Sequence, residues 1–234
     1  MISKKFLSVS PVCPYDSIGH AGGKTYNFYL KGISKETDFS VDVVFFAQRQ
    51  ELKKSDLSSY GISYKCILTR GSLAVDIKHF VLDLVGNVIF QNKLFSLYKL
   101  SEVLHYLKHL QEENNLPDII ELEWTNFVYF AKYIKRKYPA VKLIASEHDV
   151  SYLGLERKGM SPKKLAFVKK MELDALKCCD VVMPQNIKDR DLLIKDGIEE
   201  EKIHVIVPYF HNMSSIERKD INHDILFWGA MYRP

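Results

Sequence analysis

Three side chains that can hydrogen-bond or titrate stand together at Glu147-His148-Asp149, directly after the apolar run Val141-Lys142-Leu143-Ile144-Ala145. Such a run reads as a buried strand, and open α/β sheets place their ligands outside the carboxyl ends of their strands. The triplet therefore falls where a substrate would sit, with His148 and Asp149 as candidates for catalysis and Glu147 for substrate binding. Acid–histidine clusters at strand ends also serve as solvated loops or helix caps, and that plainer account stands beside the first.

A second strand mouth carries Glu121-Leu122-Glu123-Trp124. Alternation points Glu121 and Glu123 to one side, and Trp124 offers a flat apolar wall of the kind that partners sugar rings. A helix-dipole acid beside a half-buried aromatic would explain the same residues. Earlier in the chain, Gly19-His20-Ala21-Gly22-Gly23-Lys24 lies between the first strand and the first helix. Glycines there let backbone approach a phosphate, which the helix N-terminus favours. The spacing departs from G-x-G-x-x-G, and Gln48 and Arg49 stand where that motif needs an acid, so a dinucleotide-binding dehydrogenase is poorly supported. A plain turn using glycine's backbone freedom is the alternative.

The elements that must position these groups alternate along the chain. Strand signals fall at residues 6–12, 41–47, 62–68, 118–122, 141–145, 180–183 and 203–207. Between them lie a helix with Tyr26, Leu30 and Ile33 on one face, and a helical pattern over residues 72–113, clearest at Leu100, Val103, Leu104, Leu107 and Leu110. Thr125 can cap a helix whose apolar face is Phe127, Phe130, Ala131, Ile134 and Tyr138. Ser161-Pro162 opens a helix that runs through Lys177, and Gly197 closes another over residues 187–196. Lys163, Lys164, Lys169 and Lys170 read as a solvated helix face. The alternation predicts a doubly wound, mostly parallel α/β sheet with helices on both faces. Residues 211–223 read as a polar linker, and Asp224-Ile225-Leu226-Phe227-Trp228 as a new buried strand. The expected organisation is one domain over 1–210, a linker over 211–223, and the first strand of a second domain within 224–234.

The whole-chain figures narrow the function classes. The 234 residues, 47% hydrophobic and 26% charged, are those of a globular chain able to bury a sizeable core. The net charge of +4 permits phosphate or anionic membrane partners without demanding nucleic acid, and no zinc-finger spacing or basic aromatic stripe argues for it. Cys13, Cys66, Cys178 and Cys179 form no CxxC pair, which suits a reducing compartment. No signal-peptide pattern opens the sequence and no stretch reaches the ~18 uninterrupted apolar residues of a spanning helix, so a cytoplasmic protein is expected.

Residues 80–100 are unusual. Phe80, Val81, Leu84, Val85, Val88, Ile89, Phe90, Leu94, Phe95, Leu97 and Tyr98 are apolar, while Lys78, Lys93 and Lys99 are basic. An interfacial element at the inner face of a membrane would have this character. A helix packed on the sheet would too, and packing is the favoured expectation.

Taken together, the ordered pieces resemble the N-terminal domain of a GT-B-fold glycosyltransferase of family four, and the resemblance covers nearly all of the chain. Its elements are the Gly22-Gly23 turn, Pro117-Asp118-Ile119-Ile120-Glu121, and Glu147-His148-Asp149-Val150 followed by Arg157. Glu172, Cys179-Asp180-Val181-Val182, Lys202-Ile203-His204-Val205-Ile206 and Ile225-Leu226-Phe227-Trp228-Gly229-Ala230-Met231 complete it. Val207-Pro208-Tyr209-Phe210 departs from the Pro-Asn-Gly that many members carry before the linker. The resemblance implies two Rossmann-like domains facing across a cleft, the N-terminal one mainly binding the acceptor. It implies a retaining transfer from a nucleotide diphosphate sugar to a hydroxyl of a glycan or lipid-linked acceptor, in surface polysaccharide or glycolipid synthesis. No cofactor or metal is implied, since the sugar nucleotide is a substrate. His148 would meet the donor sugar or its diphosphate, the Gly22-Gly23 turn the diphosphate, and Glu123, Trp124, Glu147, Arg157 and Gly229 the substrates. The paired-glutamate motif that grips the donor is expected beyond Pro234, so this chain by itself should fold but bind donor poorly and transfer nothing. A sugar-nucleotide epimerase of the same fold and a non-catalytic sugar- or nucleotide-binding module are the rival classes.

Overall fold

A computed structural model of the chain describes residues 4–90 and 92–207. Six strands form one sheet: β1 (Lys5–Ser10), β2 (Ser40–Ala47), β3 (Ser63–Leu68), β4 (Ile119–Glu123), β5 (Lys142–Glu147) and β6 (Val181–Pro184). All neighbours are parallel, in the order β3-β2-β1-β4-β5-β6. A parallel sheet needs cover on both faces, and the near-continuous apolar runs of β1, β2 and β4 answer that need. Leu7, Val9, Phe46, Ile120, Leu122, Leu143 and Ala145 point into one core, and Phe6, Val41, Val43, Phe45 and Ala47 into the other.

The helices supply the cover. On one face, α1 (Ala21–Glu36) buries Tyr26 and Leu30. On the other lie α4 (Leu97–Glu112), with Val103 and Leu107, and the pair α5 (Thr125–Val128) and α6 (Ala131–Lys137). The long helix α8 (Pro162–Leu176) adds Leu173 and Leu176 to that core, and α9 (Ile187–Lys195) adds Leu193. Short helices α2 (Arg49–Leu52) and α7 (Ser151–Arg157), which the periodicity does not announce, follow β2 and β5. Gly197, at φ +91°, ends α9 in the left-handed region that favours glycine.

Four differences from the sequence expectations have local causes. The helical stretch at 72–113 is two helices, α3 (Leu73–Phe90) and α4. The break is made by Asn92, whose side-chain oxygen accepts from Leu94 N (2.9 Å), and by Ser96, which caps α4. The helix expected after Thr125 is split between α5 and α6 by tight i→i+3 bonds, from Phe130 N to Phe127 O (2.9 Å) and from Tyr133 N to Phe130 O (3.0 Å). Thr125 does not cap it, because its hydroxyl donates to Asp149 O (2.7 Å).

The third difference concerns residues 203–207, expected as a strand, which make only a bridge from Ile203 to Val182 and two further bonds. Proline at 184 has no N–H to extend that ladder. The fourth is α3, which does not pack as a core helix: only Gly86 is buried on it, and Leu73, Phe80 and Val88 face solvent. An apolar side of the helix is open to solvent, and Asp76, His79, Asp83 and Asn87 follow one another along a polar flank beside it. The linker at 211–223, the strand at 224–228, Gly229 and Pro208, Tyr209 and Phe210 lie outside the described residues. Among the described residues no helix is long and apolar enough to cross a membrane, and all four cysteines are free thiols.

The core that α5 brings to the sheet gives a direct test. Phe127 is fully buried, 5.5 Å from the ring of Phe46 and 4.8 Å from that of Phe130. Phe127→Ala should cost about 3–5 kcal/mol of stability, read from the urea midpoint at unchanged slope.

Candidate functional site

β1 and β4 are neighbours at the centre of the sheet, and the chain leaves them toward opposite sides. That is the topological switch point, where the loops after the two strands part and leave a crevice. From the β1 side comes the N-terminus of α1, capped by His20, whose Nδ1 accepts from Gly23 N at 3.0 Å. That bond leaves Nε2 of a neutral His20 as the protonated nitrogen. The amides of Ala21 and Gly22 have no acceptor among the described residues, as the first turn of a helix normally leaves them. From the β4 side comes Trp124, a non-glycine residue held at φ +73°. A backbone held there costs energy that the surroundings must offset, and such positions gather at functional sites.

The two sides meet through His148, which follows β5. Its Nε2 donates to Glu123 Oε1 at 2.6 Å, and its ring stacks on Trp124 with centroids 4.3 Å apart and planes 11° from parallel. His20 and Tyr26 meet Trp124 edge-on at 6.1 and 6.0 Å. A Cβ on Gly22 would stand 3.0 Å from Trp124 Cζ2 and 3.6 Å from His148 Nδ1, so glycine lets the helix approach the indole closely here. The imidazole is therefore fixed on three sides: by a buried carboxylate, by an aromatic face and by helix backbone. Its Nδ1 lies toward the start of α1, where it can act on a group bound in the crevice.

Beneath this cluster lie carboxyls that water does not reach. Ser8 donates to Glu121 Oε2 at 2.7 Å, and the Tyr26 hydroxyl lies 2.8 Å from the same serine oxygen. Burial, and then the neighbouring Glu123 carboxylate, push Glu121 up to about 8. Glu147 is raised well above the usual carboxylate range, first by burial and then by Glu172. Glu172 itself accepts from Ser151 N (2.8 Å), from the Ser151 hydroxyl and from Tyr129 (3.0 Å), so it anchors the start of α7.

The sequence-selected residues thus separate. Gly22, Glu123, Trp124 and His148 come together, and Gly23 sits one step behind them, its missing Cβ leaving room for Ile18 and His20. Glu147 does not join them. β5 runs two residues further than its apolar stretch, and alternation turns Glu147 inward with Leu143 and Ala145. Asp149 is bound through its backbone to Thr125 and is exposed, and Arg157 is exposed at the last turn of α7, with no bond to the cluster among the described residues. Glu123 is buried behind His148, so it holds the imidazole rather than facing a ligand. Trp124 is no free wall either, since His148 covers one of its faces.

His20, Ser8 and Tyr26 were not singled out by motif. The signal for His20 was its place three residues before Gly23, at the start of a helix. Among the described residues no three His, Cys, Asp or Glu side chains are grouped so as to hold a metal ion.

No protein-family model matches this sequence, and no curated protein aligns with it significantly. Solved structures do match, at low identity. Anabaena Alr3699/HepE, solved in complex with UDP-glucose, aligns with 88% of this chain and 44% of its own at 14% identity and a TM-score of 0.51. Arabidopsis thaliana UGT89C1, solved with UDP-L-rhamnose, aligns with 91% and 54% at 10% identity and a TM-score of 0.52. A Listeria monocytogenes structure described as a UDP-N-acetylglucosamine 2-epimerase aligns with 87% and 44% at 16% identity and a TM-score of 0.51.

The likeness is one of fold. The chain has the parallel, Rossmann-like sheet of the GT-B proteins, and it spans about half the length of the proteins it matches.

The buried carboxyl on the β4 side predicts a pH dependence. Below its ordinary value of 4.5, Glu121 is protonated whether the chain is folded or not. As pH rises from there toward about 8, the unfolded chain releases the proton while the fold retains it, so stability is lost across that window. Glu121→Gln carries no such proton. Its stability relative to wild type should rise by on the order of a few kcal/mol between pH 4.5 and 8, measured by urea titration at a series of pH values.

Proposed function

We propose that this chain is the acceptor-side domain of a retaining, family-four-like glycosyltransferase that moves a sugar from a nucleotide diphosphate to a hydroxyl. One observation carries the reading. A histidine is clamped by a buried glutamate at 2.6 Å, at the switch point and against the N-terminus of a sixteen-residue helix. In the transfer, the bond from the sugar's anomeric carbon to the diphosphate oxygen breaks and a bond to the acceptor oxygen forms. The acceptor's proton leaves with the diphosphate or to solvent. Negative charge grows on the departing diphosphate, and fixed donors lower that cost because they need no reorganisation. The open amides of Ala21 and Gly22 and the N-terminal dipole of α1 are such donors. His148, with its proton on Nε2 pledged to Glu123, offers the lone pair of Nδ1 to a hydroxyl of the donor sugar, while the diphosphate falls to the amides of α1.

The HepE and UGT89C1 complexes contain UDP-sugars, which makes UDP-glucose the first donor to try. The reaction class follows from the products of labelled UDP-sugar incubated with the full-length gene product and an acceptor mixture. Label appearing in a glycoside of unchanged anomeric configuration supports the reading. Label recovered only as the epimeric sugar nucleotide would assign the site to an epimerase. Label left unchanged, while UDP-glucose still binds, would leave a binding module.

Substitutions divide the roles. His148→Ala should lower kcat by about a hundredfold or more with the fold intact, which circular dichroism checks. Glu123→Gln retains a hydrogen-bond partner for the imidazole and should lower kcat by about tenfold, with little effect on the acceptor KM. A rise in acceptor KM at unchanged kcat would instead make Glu123 a contact to the acceptor.

A further inference from the structure

The outer face of α3 and the cavity beside it are absorbed by none of the chemistry above. Leu73, Ile77, Phe80, Leu84 and Val88 recur at helical spacing along α3 and all face solvent, with Leu73 78%, Phe80 69% and Val88 71% exposed. The helix is about 27 Å long at 1.5 Å per residue, so this stripe greatly exceeds the scattered apolar residues of an ordinary surface. No charge interrupts it. Lys78 pairs with Glu102 at 2.6 Å and His79 with Asp83 at 3.0 Å, on the side that meets α4, while the exposed Asp76 of the first turn borders the stripe and lines the cavity beside Phe80 and Leu84.

Two adjoining cavities of about 570 and 560 Å³ share Thr69, Arg70, His79 and Asp83 and lead from Phe80 and Leu84 to the mouth of the sheet. Arg70, Lys93 and Lys99 line the inner one, and none has a carboxylate in ion-pair contact among the described residues. The acids there are already engaged. Asp83 accepts from Ser96 (2.8 Å) and Tyr98 N (3.1 Å), and Glu51 accepts from Gln48 N (2.8 Å). Lys99 holds its ammonium 5.5 and 5.4 Å from the rings of Phe46 and Phe127. Burial lowers its pKa, and a bound anion would relieve that cost.

We propose that α3 lays this stripe into the surface of an anionic bilayer, with a lipid phosphate entering the cavity lined by Arg70, Lys93 and Lys99. The charge pattern selects this occupant. An uncharged apolar stripe with unpaired cations beside it matches hydrocarbon overlain by phosphate. A second copy docked by the same face would bring like cations together across a two-fold contact. This surface is independent of the sugar-transfer reading, and either can fail without the other.

Flotation of the whole chain with phosphatidylcholine vesicles, with and without phosphatidylglycerol, provides the test. Binding is expected only with phosphatidylglycerol and should fall as salt rises. Phe80→Ser with Leu84→Ser should weaken it by about tenfold or more. Lys93→Gln with Lys99→Gln should weaken it by about tenfold and flatten the salt dependence. Phe80, Leu84 and Lys93 are exposed, and Lys99→Gln keeps the polarity of a half-buried side chain; circular dichroism checks the folding of both pairs. Absence of binding at low salt, or equal binding to neutral vesicles, overturns the proposal. So does a dimer in sedimentation equilibrium that Phe80→Ser dissolves while vesicles are ignored, which would assign the face to a second copy. Binding of inorganic phosphate without vesicle binding would reduce the cavity to a simple anion site and also overturn it.

Discussion

The parallel pairing of β1 with β4, from Phe6 opposite Ile119 to Val9 opposite Leu122, joins segments separated by 113 residues and sets the centre of the sheet. Because the chain departs from these strands in opposite directions, their two exits cannot close over each other. The start of α1 and the strained Trp124 therefore face a common gap, and β5, paired with β4, delivers His148 into it. Loop length alone could not hold an imidazole within 2.6 Å of Glu123; adjacent strands in register can. The site is a consequence of sheet order before it is a consequence of any motif.

The same register carries acidic side chains into the interior beneath the site. Glu121 sits against Ser8 on the neighbouring strand, and Glu147 approaches Glu172 of α8. Buried carboxyls of this kind cost stability unless they are protonated or multiply hydrogen-bonded. Glu121 meets that cost by retaining a proton, and Glu172 by gathering bonds from Ser151 and Tyr129. Buried acids thus lie on both faces of the sheet below His148, Glu121 on the α1 side and Glu147 on the side of Leu143 and Ala145.

The face that α3 turns outward contrasts with this economy. Its inner side is fitted to α4, where Gly86 lies so close that a Cβ would come within 3.0 Å of Leu97 Cβ. The outer side is as apolar as a core helix but has no protein over it among the described residues. A continuous apolar stripe of this length left open on a helix signals a second medium or partner.

Hydrophobic period and breakers were enough to read the alternating elements, the two-sided cover of the sheet and the inward faces of α1 and α4, because burial of apolar side chains is local in pattern even when its partners are distant. The same signals placed His148 at a strand end and Glu121 and Glu123 on one side of β4. What the period could not decide was where β5 stops. Two residues of extra strand turned Glu147 from a candidate ligand contact into a buried acid. Nor could it tell a covered helix from a bare one, since Leu84 and Leu107 look alike in sequence and only the first faces solvent. The clamp of Glu123 on His148, the stacking of Trp124 and the close approach at Gly22 belong wholly to the tertiary structure. Each depends on distances across strands and helices that meet only when the sheet has its order, and no spacing along a chain encodes such a distance.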